Sequence, residues 1–211
     1  CGAMMLSKLK TITMTAVFAA TCIVGSAQAA TVSTLCPGTG ATTDREFTLT
    51  TVAPGATCFA SGIGNISGNP GGANPDPLFP LLSAAFGTGH VLIDKDNGLG
   101  GVNGVLTSTG NGGLSGTWSF TLPAAPTGYV WTNVVLALKS GVAQLNPDWA
   151  AFVLPQGVTS GSWAIASGQQ SLSHINLYGQ LAAAQVPVPA AGLLLIGGLG
   201  ALGLARRRKS A

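Results

Sequence analysis

From Glu46 to Gly179 the chain alternates apolar and polar positions in short runs broken by glycine, asparagine and proline. The alternation in "EFTLTTV" predicts a strand, and "HVLID" follows further on, ahead of Asn97-Gly98, a favoured hairpin pair. "GVLTS" precedes the turn-rich "TGNGG". In "GTWSFTL", Trp118, Phe120 and Leu122 share one face while Thr117, Ser119 and Thr121 share the other. "YVWTNVVLALK", "WAAFVL", "GSWAIAS" and "SHINLYG" continue the series. Successive strand side chains point to opposite faces, so these runs read as half-buried strands. "GIGNISGNPGGANPDPLFP" is too rich in Gly, Asn and Pro for a helix and reads as loop. Helix is expected only in "PLLSAAF" and in the segment after Tyr178. Many short strands at regular spacing predict an all-β fold, an antiparallel β-sandwich of jelly-roll-like kind.

One echo is internal. Ser115-Gly116-Thr117-Trp118-Ser119-Phe120 recurs as Ser160-Gly161-Ser162-Trp163-Ala164-Ile165. In both, Ser-Gly precedes a Trp that enters a strand. Two copies are too few for a solenoid and read as equivalent strands of the sandwich.

The two ends follow other rules. Lys8 and Lys10 form a basic start, Thr11 to Gly25 is uncharged and mostly apolar, and Ala27-Gln28-Ala29 gives a small-x-small site. That three-part pattern predicts a signal peptide over residues 1–29, cut by signal peptidase between Ala29 and Ala30. Cys1-Gly2-Ala3 reads as an extension ahead of the Met4 start. At the other end Ala190 to Ala205 is an apolar run of 16 residues. As a helix it would rise roughly 24 Å at about 1.5 Å per residue, a bare span once Val186 to Pro189 are added. Arg206, Arg207, Arg208 and Lys209 would stay cytoplasmic under the positive-inside rule. The expected division is a signal peptide at 1–29, an exported sandwich at 30–185 and a tail at 186–211 with a transmembrane helix at 190–205.

Only 7% of residues are charged, against about 25% in a typical soluble protein. Between Ala30 and Ala205 stand three basic residues and six acids, a net charge of −3. With no basic surface to neutralise phosphates, nucleic-acid binding is excluded. The spacing Gly198-x-Gly200-x-x-Gly203 imitates a dinucleotide loop, but only eight residues follow it and none is acidic.

The tail joins Val186-Pro187-Val188-Pro189-Ala190, a short Gly/Leu-rich helix and an Arg cluster. In that order it resembles the PEP-CTERM sorting signal in a VPxPA variant, with Val188 where Pro-Glu-Pro has Glu. The resemblance implies a Gram-negative bacterium that makes extracellular polysaccharide. It also implies an exosortase, a membrane protease that recognises the tail and cuts near the motif. Passage through the inner membrane would precede release to periplasm, outer surface or matrix, with exopolysaccharide as the associated material. The plain alternative is a simple membrane anchor. "LIDKD", "LSGTWSF", "VVLALKSG", "WAAFVL" and "LSHINLYG" resemble exported domains found joined to such tails. That likeness implies a β-sandwich and no settled activity.

Export makes the cysteines interpretable. Cys1 and Cys22 fall in the removed segment; Cys36 and Cys58 are an even pair in an oxidising compartment and predict a disulfide.

Catalytic chemistry finds few supports. His90 and His174 are the two histidines, and no Gly-x-Ser-x-Gly elbow exists. His174 is expected to share a face with Asn176 and Tyr178, while Ile175 and Leu177 fill the other. Asp94 and Asp96 ahead of Asn97-Gly98 suggest the opening of a calcium loop, but its twelfth position is Val105 rather than Glu. They read as a polar hairpin turn, and no metal or other cofactor is assigned. Trp118 and Trp163 alternate with Ser or Thr and belong to a core face. Trp131 and Trp149 begin their runs near turns and are the expected surface aromatics, the candidates for stacking on a glycan. The resulting expectation is a non-enzymatic exported envelope or matrix protein. The alternative is a glycan-binding surface module.

Overall fold

The computed structural model describes residues 29–37, 45–141, 145–166, 170–185 and 197–199. The strands, in chain order, are β1 (Thr31–Cys36), β2 (Glu46–Val52), β3 (Thr57–Gly62), β4 (His90–Asp96) and β5 (Leu106–Ser108). They continue as β6 (Ser115–Phe120), β7 (Tyr129–Ser140), β8 (Trp149–Val153), β9 (Ser160–Ala166) and β10 (Leu172–Ala183). One helix, α1 (Leu78–Phe86), lies between β3 and β4 and takes in the expected "PLLSAAF".

The strands form two five-stranded antiparallel sheets, ordered β1-β2-β9-β6-β5 and β3-β8-β7-β10-β4. Pairing β2 with β9 in one sheet and β3 with β8 in the other nests as a jelly roll does. The β5–β6 hairpin and the place of β10 between β7 and β4 depart from one. Alternation sends Phe47, Leu49, Trp118, Phe120, Trp163 and Ile165 inward from the first sheet. They meet Leu136, Leu138, Phe152, Ile175 and Leu177 from the second.

A second apolar layer covers the back of the β3-β8-β7-β10-β4 sheet. Leu78, Phe79 and Leu82 of α1, with Ile66 of the preceding loop, pack there on Val135, Ala137, Trp149, Ala151 and Tyr178. The sheet is therefore buried on both faces, which explains the continuous apolar readings of "VVLALK" and "WAAFVL".

The segment after Tyr178 corrects an expectation. β10 continues as strand to Ala183, paired through Leu181 with Trp131, Ala182 with Val130 and Ala183 with Tyr129. Alanines favour helix in isolation, but a ladder to a neighbouring strand outweighs a propensity worth a few tenths of a kcal/mol per residue.

The echo is a cross-strand pair. β6 and β9 are hydrogen-bonded neighbours in one sheet, with Trp118 opposite Gly161 and Trp163 opposite Gly116. Each indole lies over the other strand's glycine. A Cβ on Gly161 would stand 3.0 Å from the Trp118 ring, and one on Gly116 would stand 2.9 Å from Trp163 Nε1.

Two seams close the sandwich. On one side the Cys36–Cys58 disulfide joins β1 of the first sheet to β3 of the second, with Cα atoms 5.1 Å apart. On the other, carboxylates of β4 meet β5.

Candidate functional site

β5 bonds to β6 along one edge only, so the N–H groups of Leu106 and Ser108 face away from its partner. Asp94 and Asp96 stand two apart on β4, share a face and reach these groups. Asp94 Oδ2 accepts from Val105 N and Leu106 N, both at 2.8 Å. Its Oδ1 accepts from Lys95 N at 2.8 Å and Asn103 N at 2.9 Å. Asp96 Oδ2 accepts from Ser108 N at 2.5 Å and Ser108 Oγ at 2.9 Å. Its Oδ1 accepts from Gly98 N at 2.7 Å and Gly100 N at 3.1 Å.

Both carboxylates are fully buried. Burial alone would raise the Asp94 carboxyl. The N–H groups of Asn103, Leu106, Lys95 and Val105 together outweigh that and hold it below its ordinary value. Each oxygen faces two donors, an arrangement that orders a loop and caps a strand edge. The turn is polar as expected, and its carboxylates point inward to span the seam.

A second network lies under the 63–77 loop. His174 and Asn176 share a face of β10, as the alternation requires, and both donate to the carbonyl of Ile66, at 3.0 and 2.9 Å. A carbonyl can only accept, so His174 carries its proton on Nε2 while Nδ1 faces Ser173 Oγ at 3.2 Å. Tyr178 donates its hydroxyl proton to Asp76 Oδ2 at 2.6 Å and accepts from Asn176 Nδ2 at 2.7 Å. Asp76 in turn accepts from Gly68 N and Leu78 N, holding the loop and the start of α1. Burial, then the nearby Lys95 and Lys139 charges, pull His174 down to about 4 against the Ile66 bond. Burial first and Asp76 second push the Tyr178 hydroxyl well above its ordinary value.

A third cluster adjoins it, where Lys139 of β7 pairs with His174. Arg45 is buried and donates to the carbonyls of Gly141 and Pro147, at 3.2 and 3.1 Å, and to Gln170 Oε1 at 2.8 Å. Asp148 lies 3.9 Å from it and accepts from Gly64 N at 2.7 Å. Lys139 donates to the Ser140 carbonyl. Burial lowers the Lys139 ammonium, Asp148 opposes that shift, and Arg45 adds to it. Sequence reasoning missed the roles of Arg45, Asp76 and Asp148. In a chain so poor in charge, each charged residue inside the strand region was the available signal.

The remaining feature is a cleft. β7 bulges at Asn133–Val134, where Asn133 has φ 49° and Gly179 stands opposite. The extra residue changes the side-chain phase. Trp131 therefore points inward on the core side with Val134 and Leu136, instead of outward with Val135 and Ala137. It lies over Gly179, whose Cβ would stand 3.1 Å from the ring, and its Nε1 donates to Pro123 O at 2.8 Å. Leu122, Trp131, Val134, Pro155 and Val158 line a cavity of about 360 Å³ at this end of the sandwich.

The two candidate glycan contacts thus separate. Trp131 lines the cleft, half-buried. Trp149 is a correction: it is 2% exposed, donates to Ile63 O at 3.2 Å and packs over Gly62 on β3. Its strand is covered on both faces, so the start of the run is no surface position. Trp118 and Trp163 are core residues as expected. His90 faces the Asn133 carbonyl at 3.3 Å and packs beside Phe86, remote in register from His174.

Ala29 and Ala30 are exposed directly ahead of β1. The signal segment 1–28, the motif Val186–Ala190 and the cluster Arg206–Lys209 lie outside the described residues. Of the helix expected at 190–205, residues 197–199 are described, and they are helical. No helix among the described residues is long and apolar enough to cross a membrane.

Residues 185–209 match the family model of the PEP-CTERM protein-sorting motif. The match begins two residues after β10 ends. The resemblance read from the tail is thereby established, consistent with an exported substrate of an exosortase. No curated protein and no solved structure matches the chain.

Proposed function

We propose that this is a non-enzymatic envelope or matrix protein, delivered as a folded sandwich and separated from its tail by an exosortase. The observation that carries the reading is the sorting motif at 185–209 attached directly to the last strand of the sandwich. The buried charges support the non-enzymatic part. Asp76, Asp94, Asp96 and Asp148 each hold backbone N–H groups of loops or strand edges. A carboxylate committed to such bonds positions backbone and gives little to a substrate. Association with exopolysaccharide belongs to the same proposal and follows from the sorting class alone.

Trp131 does not favour glycan stacking. Its ring is turned inward by the bulge and its indole N–H is taken by Pro123. A glycan site would leave a flat aromatic face and polar groups open to hydroxyls.

The test is the intact mass of the protein made in a Gram-negative host with an active exosortase and in one lacking it. Loss of everything after Val186–Ala190 in the first host only is the expected result. Retention of Arg206–Lys209 in both hosts would leave a plain anchor.

A further inference from the structure

The register places both outward-leading chain segments at one end of the sandwich. Ala183 at the close of β10 pairs with Tyr129, and the Ala184 N–H donates to Gly128 O at 2.8 Å. Thr31 at the start of β1 pairs with Val52, and Ala30 O accepts from Ala53 N at 2.7 Å. Following the ladders, the ends of β2, β6, β8 and β10 and the starts of β1, β3, β4, β7 and β9 all lie there. The cleft opens at the same end.

That end carries no charge. Segments 29–34, 50–60, 86–93, 119–135, 153–163 and 178–185 contain no Asp, Glu, Lys or Arg. The described charged residues stand instead toward the other end or beneath the 63–77 loop. In their place the charge-free end exposes apolar and aromatic groups: Tyr129 is 50% exposed, Val130 44% and Leu181 36%. Trp131 lies beside them.

The tether is short. Five residues separate Ala184 from the start of the apolar run at Ala190, six Cα–Cα steps and a reach of roughly 20 Å at most. While that run is held in a bilayer, the charge-free end cannot leave the membrane surface by more than this distance. Trp and Tyr concentrate at the membrane–water interface, and an uncharged surface avoids the cost of stripping water from ions there.

We propose that the sandwich stands on the outer face of the membrane on its charge-free end, with Tyr129, Val130 and Leu181 against the lipid headgroup region and the half-buried Trp131 directly behind them. This rests on the reading that the tail is held in the membrane before it is cut. The occupant of the face is the lipid surface itself. The posture keeps the Val186–Ala190 motif at the interface, where a membrane-embedded protease can reach it.

The four tryptophans supply the test. Trp131, paired with Leu181, lies directly behind the proposed footing. Trp149 pairs with Lys139, eight residues further along β7, roughly 26 Å away at about 3.3 Å per residue. The full chain, labelled with 5-fluorotryptophan and placed in nanodiscs, is examined by 19F NMR with and without headgroup-nitroxide lipid. Trp131→Phe assigns the Trp131 line. The expected result is loss of more than half of the Trp131 intensity with the Trp149 line unchanged, and recovery of Trp131 in the V130D/L181D double variant. Equal attenuation of both lines, or of neither, overturns the proposal. So does attenuation of Trp131 that requires added exosortase, which would make the face a protein contact. A carbonate wash of the same discs separates the premises. A chain that stays in the disc with an unshielded Trp131 refutes the footing alone, and a chain that washes off refutes the anchored tail as well.

Discussion

Trp118 on β6 lies across the ladder from Gly161 on β9, and Trp163 on β9 lies across from Gly116 on β6. Trp149 repeats the relation over Gly62, and Trp131, which pairs with Leu181, leans diagonally over Gly179. Every tryptophan of the chain therefore rests on a glycine of a neighbouring strand. Glycine weakens a strand on its own, and here the missing Cβ is the space the indole occupies.

Gly161→Ala should consequently destabilise by about 1–3 kcal/mol, the usual cost of overpacking a core. The new Cβ would meet the Thr50 carbonyl as well as the Trp118 ring. Gly64 and Gly157, whose surroundings are open but whose φ values are positive, offer a contrast. Their alanine variants should lose stability through backbone strain and leave the near-ultraviolet tryptophan signal intact. Urea unfolding followed by tryptophan emission and near-ultraviolet dichroism separates the two effects.

Asp94→Ala should cost more than most surface changes, on the order of 2–4 kcal/mol, because four N–H groups lose their acceptor at once. Asp94→Asn keeps one carbonyl oxygen, and its amide nitrogen would face donors. It should recover only part of the loss. Hydrogen exchange at Val105 and Leu106 would rise in both variants, reporting the opened edge of β5 directly.

Acid should act in two stages. His174 is held near 4, below its ordinary 6.5, so between those values the unfolded chain binds the extra proton. Stability is full above pH 6.5 and falls as the pH drops toward 4, by about 3 kcal/mol if this group acts alone. Asp94 is also depressed, so its contribution holds above the ordinary carboxylate range and goes at still lower pH. His174→Gln should flatten the first stage and leave the second. Urea midpoints measured from pH 7.5 down to about 2 decide it.

Reduction should remove about 3 kcal/mol, the entropy of closing a 22-residue loop. The Cys36→Ser/Cys58→Ser double variant should match the reduced protein and be indifferent to dithiothreitol. A variant that stayed sensitive would place the relevant disulfide elsewhere.

The strands were legible because a half-buried strand must alternate, and "GTWSFTL" and "SHINLYG" alternate cleanly. The disulfide was legible because an even cysteine pair in an exported chain implies one, and the sorting tail because its motif, apolar run and basic cluster resemble a known signal. The Ser-Gly-x-Trp echo was visible, but its meaning was not. A repeat shows that two segments are alike, and only the ladder shows that each tryptophan sits on the other's glycine. Trp149 was misread because a strand covered on both faces loses its period, leaving the first residue of "WAAFVL" looking like a rim. The carboxylate contacts were hidden for another reason. Asp94, Asp96 and Asp148 bond mainly to backbone N–H groups, which every residue but proline carries and no sequence pattern marks.

The two seams differ in what they need from their surroundings. The β4–β5 seam closes wherever carboxylates are ionised. The β1–β3 seam closes fully only where thiols are oxidised. A chain still in a reducing cytoplasm has one side of its sandwich unfastened, lacking about 3 kcal/mol of a total that for most domains is only about 5–15 kcal/mol. The fold is then fastened on both sides only where its thiols are oxidised, so the redox state of its surroundings sets part of its stability.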